Sequence, residues 1–468
     1  MAGNYSGVGM MHRVQRIHFT GIGGIGMSGI AELLHNQGFQ VQGSDAAESA
    51  NVSRLHSLGI PVWVGHHPDQ LGKAQVVVVS SAISANNPEV CAAEAKGIPV
   101  IPRAEMLAEL MRMKRGIAVA GSHGKTTITS MIAHGMETAG MDPTYVIGGR
   151  LTASGSNARL GESDYLVAEA DESDGSFLCL SPMIAVVSNI DREHLEHYGS
   201  FENLMDSFRQ FIRQVPFYGR VILHHEHPNV AALRDGLHKP VTTYGSSPQA
   251  DFSLTDYCQK ENGLSMSVSL PGSSQAEKFF LPMPGRHNAE NAIAAIAVML
   301  ELNISLELIR ESLNSFAGIQ RRFQCSRIGT GVLVDDYAHH PQEIMATLES
   351  ARHCWPDRQI LTLFQPHRYS RSRDLMKSFF GAFDVSDQVV VLPIFSAGED
   401  PIQGVSSEAM ADGIRNRGHR SSSCCIDFQA AKMIAKNALA AGQIVLIAGA
   451  GSIGGLAVDI RQEEREVQ

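Results

Sequence analysis

The chain has few cysteines, scattered apart from the adjacent Cys424 and Cys425, and it has no long apolar segment. Its 468 residues include seven cysteines, and no two of them are arranged as Cys-x-x-Cys. Neither a disulfide framework nor a zinc cluster is therefore indicated, because both need grouped cysteines. No uninterrupted run of about 18 apolar residues occurs, so we expect no membrane span and no membrane partner.

An excess of basic residues is also missing. Lys and Arg number 38 against 48 Asp and Glu, which gives a formal net charge of −10. This balance gives no support to a nucleic-acid partner. The first residues, Met1–Met11, lack the basic start and apolar core of a secretory leader, so we expect a soluble, cytoplasmic protein. The length is too great for a single core, and three domains are the best expectation.

The strongest motif begins at Ile117. Residues 117–120 form a short apolar run typical of a strand, residues 121–124 form a glycine-flanked turn, and Lys125 opens a helix predicted to reach about Ala139. In such a corner, backbone N–H groups and a lysine bind phosphates, and the following threonine can hold Mg²⁺. Val119 stands where the longer form of the motif has glycine, so the loop is the short form. An ordinary strand–turn–helix corner is the competing interpretation.

Two further strands are predicted to end in groups suited to a metal ion. The strand that follows Asp164 runs into Glu169 and three more acids, and the strand from Ile184 leads to Asn189, Asp191 and His194. Carboxylates at a strand end near a phosphate loop are what Mg²⁺ requires. A solvated acidic loop, and a structural role for His194, are the alternatives.

The N-terminal segment shows a dinucleotide-type glycine loop. A strand at 16–20 precedes a G-x-G-x-x-G pattern at Gly21, a helix to Gly38, and a second strand that ends at Asp45, about 20 residues beyond the loop. NAD binding is the obvious interpretation, but any nucleotide with a diphosphate suits this geometry, and so does a purely structural turn. The next apolar strand, within 74–83, ends in polar Ser80 and Ser81.

The C-terminal third predicts another α/β unit after a polar joint at 318–323. Its strands each lead into a polar or glycine-rich loop, and Arg368, Arg371 and Arg373 form a basic site fit for a carboxylate or phosphoryl group. A solvated basic helix start would explain them equally well. Just before the joint, Asn288 and Asn291 lie on the first turn of an alanine-rich helix, where they could bind a base edge or serve only as caps.

Taken together, the motifs resemble the Mur ligase family over almost the whole chain. The resemblance is carried by HFTGIGGIGMSGIA at 18–31, GSHGKTT at 121–127, EADESD at 169–174, GRHNAENA at 285–292, DDYAHHP at 335–341 and FQPHRYSRSRD at 364–374. It implies three α/β domains. These are a UDP-sugar-binding Rossmann-like domain at 1–114, a central ATP-binding domain with a mostly parallel sheet at 115–324, and a Rossmann-like amino-acid-binding domain at 325–468.

The resemblance also implies an activity, that of an ATP-dependent acid–amino-acid ligase. The expected reaction joins L-alanine to the lactyl carboxylate of UDP-N-acetylmuramate through an acyl phosphate, in peptidoglycan precursor synthesis and hence in cell shape and division. ATP and Mg²⁺ or Mn²⁺ are the implied cofactors, and a monomer or homodimer is expected. The alternatives are a peptidoglycan-recycling ligase that adds a tripeptide to the same UDP-sugar, an NAD-dependent dehydrogenase, and a nucleotide-binding protein without catalysis.

The implied roles fall on particular residues of this sequence. The nucleotide would be bound by Gly121, Ser122, His123, Gly124, Lys125, Thr126, Thr127, Asn288, Asn291, Arg322 and Asp335. The metal ligands would be Thr126, Glu169 and His194. The substrates would contact Gly23, Gly24, Ser44, Asp45, Ser80, Ser81, Tyr337 and Arg371. The catalytic groups would be Lys125, His194, His339 and Arg368. The helix after His194 has no lysine in its 206–209 segment, so the modified lysine ligand of some members is not expected.

Overall fold

The computed structural model describes residues 14–80, 82–148, 158–261, 263–419 and 421–467. Ser81 and the N-terminal stretch analysed for a leader lie outside these ranges. The chain divides into two compact units. The first unit comprises the chain up to Asp256 with Ser267–Phe279 and Glu290–Phe316, and the second comprises Tyr257–Met266, Phe280–Ala289 and the chain from Ala317 onward. The predicted boundaries of three domains remain a prediction.

The first sheet lies in the first unit and has five parallel strands in the order β3-β2-β1-β4-β5. Its strands are Arg16–Thr20 (β1), Gln40–Asp45 (β2), Val62–Val64 (β3), Val76–Val79 (β4) and Val100–Pro102 (β5). Its helices are Ile25–Asn36 (α1), Ala50–Ser57 (α2), Pro88–Ala95 (α3) and Arg103–Arg112 (α4), with a short 3₁₀ helix at Pro68–Leu71. Strand order reverses at β1, which opens a ligand crevice at the carboxyl edge.

The second sheet has ten strands in the order β15-β14-β13-β12-β11-β10-β6-β9-β7-β8. The strands are Arg115–Ala120 (β6), Thr144–Val146 (β7), Ala158–Arg159 (β8), Tyr165–Glu169 (β9), Ile184–Val187 (β10), Arg220–His224 (β11), Val241–Gly245 (β12), Phe252–Lys260 (β13), Gly263–Ser269 (β14) and Glu277–Leu281 (β15). The helices are Lys125–Thr138 (α5), Leu195–Tyr198 (α6), Phe201–Arg213 (α7), Pro228–Ala231 (α8), Arg286–Glu301 (α9) and Leu306–Ser315 (α10), with 3₁₀ turns at Ser176–Cys179 and Ala232–Arg234. From β7 through β9, β6, β10, β11 and β12 to β13, neighbouring strands are parallel.

The third sheet lies in the second unit and has six strands in the order β16-β17-β21-β18-β19-β20. The strands are Gln324–Ile328 (β16), Gly331–Asp336 (β17), Ile360–Phe364 (β18), Gln388–Val391 (β19), Ser422–Cys424 (β20) and Ile444–Ala448 (β21). The helices are Pro341–Cys354 (α11), Tyr369–Asp374 (α12), Met376–Ala382 (α13), Ser407–Asn416 (α14), Phe428–Ala440 (α15) and Ile453–Val467 (α16). Only the β16–β17 pair among the described pairs of this sheet is antiparallel.

Both faces of the third sheet are covered, and the residue alternation along its strands shows this. On β21, Ile444, Leu446 and Ala448 pack into one core, and the intervening Val445 and Ile447 pack into another. Side chains alternate between faces along a strand, so a continuous apolar run needs helices on both sides. The apolar strands therefore specify a doubly wound sheet and leave their polar loops at the carboxyl edge.

The α/β class with three largely parallel sheets is confirmed. Strand β1 spans the predicted residues 16–20, β2 ends at Asp45 and α5 begins at Lys125, each as predicted. Strand β16 directly follows the predicted joint at 318–323 and was not predicted, because its residues lack a continuous apolar run. No helix among the described residues is long and apolar enough to cross a membrane.

Candidate active site

The predicted phosphate loop joins β6 to α5 in the first unit. Gly121 has φ +130° and Gly124 has φ +84°, conformations that favour glycine. A Cβ atom at Gly121 would lie 2.2 Å from the Ser188 hydroxyl, and one at Gly124 would lie 2.5 Å from Asn291 Oδ1. Helix α5 has no side-chain cap and no acid in its first turn. Its N-terminus therefore presents N–H groups to an anion without a competing carboxylate.

The loop is held in place by the segment that follows β10. The Asn189 side chain accepts a hydrogen bond from the His123 backbone N–H at 2.7 Å, and the Ser188 hydroxyl donates to the His123 carbonyl at 2.6 Å. The backbone N–H of Asp191 donates to the Ser122 hydroxyl at 2.9 Å. Two predicted nucleotide-site residues, Ser122 and His123, thus owe their positions to a turn nearly 70 residues further along the chain.

Lys125 is clamped by a buried carboxylate. Its Nζ lies 2.9 and 2.8 Å from the two carboxylate oxygens of Glu172 and donates to the Gly121 carbonyl at 2.6 Å. Burial raises the pKa of Glu172 to about 7, although Lys125 opposes the shift. Burial disfavours the ammonium, but Glu172, Asp171 and Glu169 together raise the pKa of Lys125 above its usual value. Lys125 is therefore a fixed cation at the loop.

Thr126 and Glu169 meet as predicted for a metal site. The Thr126 hydroxyl donates to Glu169 Oε2 at 2.9 Å, and the Gly148 backbone N–H donates to the same oxygen at 2.8 Å. A hydroxyl and a carboxylate are hard oxygen donors, which suit Mg²⁺. The pairing arises because β6 and β9 are parallel neighbours, so residues at their carboxyl ends share one edge of the sheet.

His194 begins α6 in a left-handed conformation, with φ +56°. Burial and the charge of Lys125 lower its pKa, although Glu193, Glu196 and Asp171 oppose the shift. The ring is therefore held neutral, as a metal ligand must be. Its closest described charged partner is Glu193, at 3.8 Å. No hydrogen bond between His194 and Thr126 or Glu169 is present among the described residues, so its metal role remains a prediction.

The carboxyl edge of the first sheet gathers the residues predicted for the UDP-sugar. The Gly23 backbone N–H donates to Asp45 Oδ2 at 2.7 Å, which ties the glycine loop to the end of β2. A Cβ atom at Gly21 would lie 3.3 Å from the Ser80 hydroxyl. Like α5, helix α1 has no side-chain cap; its N-cap is Gly24. Ser44, however, is fully buried, and its hydroxyl donates to Glu89 at 2.7 Å.

The two asparagines of α9 fall in different units. In the first unit, Asn291 lies beside Gly124 of the phosphate loop. In the second unit, the Asn288 side-chain amide donates to the Pro284 carbonyl at 2.7 Å. The contact of Asn291 agrees with a place next to a nucleotide, and the contact of Asn288 is a local turn interaction.

In the second unit, Asp335 is fully buried between two arginines. Its carboxylate oxygens lie 3.3 Å from Arg321 Nε and 2.6 Å from Arg461 Nη2. The Arg322 guanidinium stacks over the Tyr337 ring, 5.5 Å from its centroid, and lies 3.7 Å from Glu343. Asp335 thus organises the end of β17, and its predicted contact with ATP stays untested.

The basic pocket predicted for an amino acid is assembled around two histidines. The rings of His339 and His367 are 6.2 Å apart, and Tyr337 packs edge-on against His339. Arg371 Nη1 lies 3.3 Å from His367 Nδ1. Burial and the nearby arginines lower the pKa of each histidine to about 4. The arginines therefore supply the positive charge and the histidines stay neutral, an arrangement suited to a carboxylate.

The other two arginines of this segment differ from each other. Arg368 adopts φ +70° at the start of α12, and its backbone N–H donates to the Phe395 carbonyl at 2.8 Å. Such a conformation is rare for a residue with a side chain and points to a constrained site. Arg373 is exposed and donates to Asp374 at 2.7 Å, so its place in the basic site stays a prediction.

Sequence reasoning missed several residues of these sites. His367 lies inside a quoted motif, and Glu172 was one of the acids predicted after the 165–169 strand, but their contacts with Arg371 and Lys125 were not predicted. Glu89 was not predicted as a site residue. Arg103, whose Nη1 would lie 3.1 Å from a Cβ atom at Gly26, had no sequence signal at all.

These features define a three-part α/β enzyme of the nucleotide-dependent ligase class, and the chain belongs to the Mur ligase family. The family models match as the Mur ligase family catalytic domain over residues 16–115, the Mur ligase middle domain over 119–299 and the Mur ligase glutamate ligase domain over 321–451.

Two named relatives that match almost the whole chain carry the same enzyme name. The chain is 49% identical to the UDP-N-acetylmuramate–L-alanine ligase of Syntrophotalea carbinolica, over 95% of this chain and 97% of that protein. It is 45% identical to the enzyme of the same name from Legionella pneumophila, over 96% and 97% of the two chains.

Solved structures agree. The UDP-N-acetylmuramate–alanine ligase of Thermotoga maritima superposes with a TM-score of 0.82 at 27% identity, covering 97% of this chain and all of that one. A murein peptide ligase from Psychrobacter arcticus has a TM-score of 0.71 at 22% identity, covering 96% and 98% of the two chains, which shows the shared fold alone.

Proposed function

We propose that this chain joins L-alanine to the lactyl carboxylate of UDP-N-acetylmuramate with ATP. The observation that carries the proposal is the phosphate loop, where Lys125 and the Thr126–Glu169 pair meet at one sheet edge. The naming of the full-length relatives at 45–49% identity supports L-alanine as the amino acid. An NAD-dependent dehydrogenase would leave this loop without a role.

The reaction proceeds in two steps. A lactyl carboxylate oxygen attacks the γ-phosphorus of ATP, the bond to the bridging oxygen breaks, and ADP leaves. The alanine amine then attacks the acyl carbon, a C–N bond forms, the amine loses a proton, and phosphate leaves with the carboxylate oxygen. No covalent enzyme nucleophile is needed, so catalysis consists of positioning and charge stabilisation.

In the first unit, the charged and the polar residues have different proposed roles. Lys125 neutralises phosphate oxygens from a position fixed by the Gly121 carbonyl and Glu172. Thr126 and Glu169 would hold Mg²⁺ or Mn²⁺, with His194 as a candidate ligand, and a bound cation would offset charge on the phosphates. The Gly23–Asp45 loop binds the UDP-sugar, because it places the uncapped N-terminus of α1 at the carboxyl edge of an open α/β sheet, where a diphosphate can bind.

In the second unit, the pocket of Tyr337, His339, Arg368 and Arg371 binds the amino acid. An arginine guanidinium can bind a carboxylate through two parallel hydrogen bonds. The two histidines are neutral, so they are compatible with an uncharged amine group of the amino acid. The pocket accounts for selection of a free α-carboxylate.

Phosphate release from ATP tests the proposal. The assay contains ATP, Mg²⁺ and UDP-N-acetylmuramate, and it receives L-alanine, the tripeptide of the recycling reaction, or neither. We expect release with L-alanine, little with the tripeptide, and an amide product in equal amount. Release that depends on the tripeptide would assign the recycling reaction instead. Release that depends on neither would exclude both ligations.

A further inference from the structure

One face of the first sheet carries a buried polar cluster that the proposed reaction does not explain. His18 and Thr20 on β1 pair in register with Gln42 and Ser44 on β2. His18, Thr20 and Ser44 are fully buried, and so is the Glu89 carboxylate of α3. A buried carboxylate is costly unless several donors satisfy it. A sheet face of this kind would be more simply filled with apolar residues.

Glu89 collects donors from three parts of the first unit. Its Oε2 accepts from the Thr20 hydroxyl at 2.7 Å, the Ser44 hydroxyl at 2.7 Å and His18 Nε2 at 3.1 Å. Its Oε1 accepts from the His67 backbone N–H at 3.4 Å. Burial alone would raise the pKa of Glu89, but these donors hold it below its usual value. Glu89 is therefore an ionised acceptor.

The ionised state of Glu89 determines where the hydrogens lie. Ser44 has one hydroxyl hydrogen, which goes to Glu89, so its oxygen must accept from His66 Nδ1, 2.8 Å away. His66 therefore carries a hydrogen on Nδ1 and keeps Nε2 for another partner. His18 is different, because its Nε2 donates to Glu89 and its Nδ1 accepts from Gln42 at 3.2 Å.

The two histidines also differ in position. His18 is sealed inside the sheet face, whereas the His66 side chain is 17% exposed and follows β3 at the carboxyl edge. The preceding residue, Gly65, donates its backbone N–H to the Asp45 carbonyl at 2.7 Å. His66 thus lies close to Asp45, the residue that fixes the Gly23 loop. It is also the partly exposed end of the hydrogen-bond series that runs from Glu89 through Ser44.

We propose that Glu89 is a positioning residue for UDP-sugar binding. Acting through the Ser44 hydroxyl, it fixes the orientation and tautomer of His66, whose Nε2 accepts a hydrogen bond from a hydroxyl or N–H group of the UDP-sugar. Ser44 is then a relay and not a substrate contact. This inference rests on the proposed function, since it assumes that the first-sheet edge binds the UDP-sugar.

A matched pair of variants separates the relay from simple stability. Ser44→Ala and Thr20→Val each remove one 2.7 Å hydroxyl bond to the same oxygen of Glu89, but only Ser44 contacts His66. The readout is calorimetric binding of UDP-N-acetylmuramate, with a non-hydrolysable ATP analogue as control ligand. We expect Ser44→Ala to weaken UDP-sugar binding about tenfold and Thr20→Val to change it less than about twofold. Equal losses in the two variants would overturn the relay.

A double-mutant cycle tests the link to His66 itself. Glu89→Gln and His66→Ala are each expected to weaken UDP-sugar binding about tenfold, and the double variant no more than His66→Ala alone. Losses that multiply in the double variant would overturn the proposal. If Glu89→Gln does not fold, the cycle is run with Ser44→Ala, for which the same outcomes apply. A folded wild type that binds ATP but no UDP-sugar would instead overturn the proposed substrate.

Discussion

The first unit contains two glycine loops of the same construction, and they differ in the charged side chain that each loop contacts. In both, a parallel strand leads through glycines into a helix with no side-chain cap and no acid in its first turn. The loop after β1 is anchored by a carboxylate, because Gly23 donates to Asp45. The loop after β6 holds a lysine, because Lys125 is gripped by Glu172 and the Gly121 carbonyl.

That contrast supports the proposed ligands of the two loops. The β6 loop adds a fixed cation and a pair of hard oxygen donors to the helix N-terminus, as a triphosphate with a metal ion requires. The β1 loop offers the uncapped N-terminus of α1 and a buried polar cluster; the 18–31 motif has no lysine or arginine, and the cation beside it is Arg103, next to Gly26. It is suited to a diphosphate whose attached sugar and nucleoside give the specificity.

Replacement of Lys125 is expected to have the largest effect on the difference between the two glycine loops. Lys125→Ala is expected to lower the ligation rate by about 10²–10³, because a preorganised cation at the transferring phosphoryl group is lost. UDP-sugar binding should stay within about twofold of wild type, since Asp45 and Gly23 belong to the other loop. Steady-state kinetics and calorimetry measure the two effects. More than about a third of wild-type turnover would refute the role of Lys125.

The metal pair gives a smaller effect of the same kind. Glu169→Gln is expected to raise the Mg²⁺ concentration needed for half-maximal activity about tenfold, because a charged oxygen ligand is lost while the Thr126 bond can persist. Glu162→Gln, at an exposed acid shortly before β9, is the matched control and should leave the titration unchanged. Identical Mg²⁺ curves for all three proteins would favour a solvated acidic loop.

The basic pocket of the second unit differs from both loops of the first unit, because arginine side chains rather than a glycine loop would bind its ligand. Arg368→Lys is expected to raise the KM for L-alanine about tenfold, because an ammonium cannot grip a carboxylate at two points. The KM for ATP should change little. Arg373→Lys is the control, since that side chain is exposed and paired with Asp374. Equal effects of the two substitutions would remove Arg368 from the amino-acid site.

The smallest expected effect concerns acid stability. His339 has its pKa lowered from 6.5 to about 4 in the folded chain, so the stabilisation it gives is present above pH 6.5 and is lost as the pH falls toward 4. Between pH 7 and pH 5 the wild type should lose about 1–2 kcal/mol more unfolding free energy than His339→Gln. Urea unfolding measures this, with exposed His353→Gln as control. If His339→Gln lost as much unfolding free energy as the wild type between pH 7 and pH 5, protonation of His339 would not contribute to the acid sensitivity.

Local pattern predicted the fold well, and it predicted contacts only where neighbouring parallel strands bring residues together. Thr126 and Glu169 could be placed near each other because both follow strands of one sheet. Two other contacts could not be predicted from the sequence, because they depend on the directions of side chains. They are the ion pair of Lys125 with Glu172 and the contacts of Asp335 with Arg321 and Arg461. Ser44 was predicted as a substrate contact from the family resemblance, but its side chain points into the buried face.

In the proposed reaction, the β6 loop activates the lactyl carboxylate of the bound UDP-sugar for attack on ATP. The most direct measurement follows the oxygen atoms. UDP-N-acetylmuramate labelled with ¹⁸O in its lactyl carboxylate is incubated with ATP, Mg²⁺, L-alanine and the enzyme, and the released phosphate is analysed by mass spectrometry. We predict that each phosphate carries one labelled oxygen, because an acyl phosphate transfers it. Unlabelled phosphate, with label retained in the product or unreacted sugar, would contradict the account.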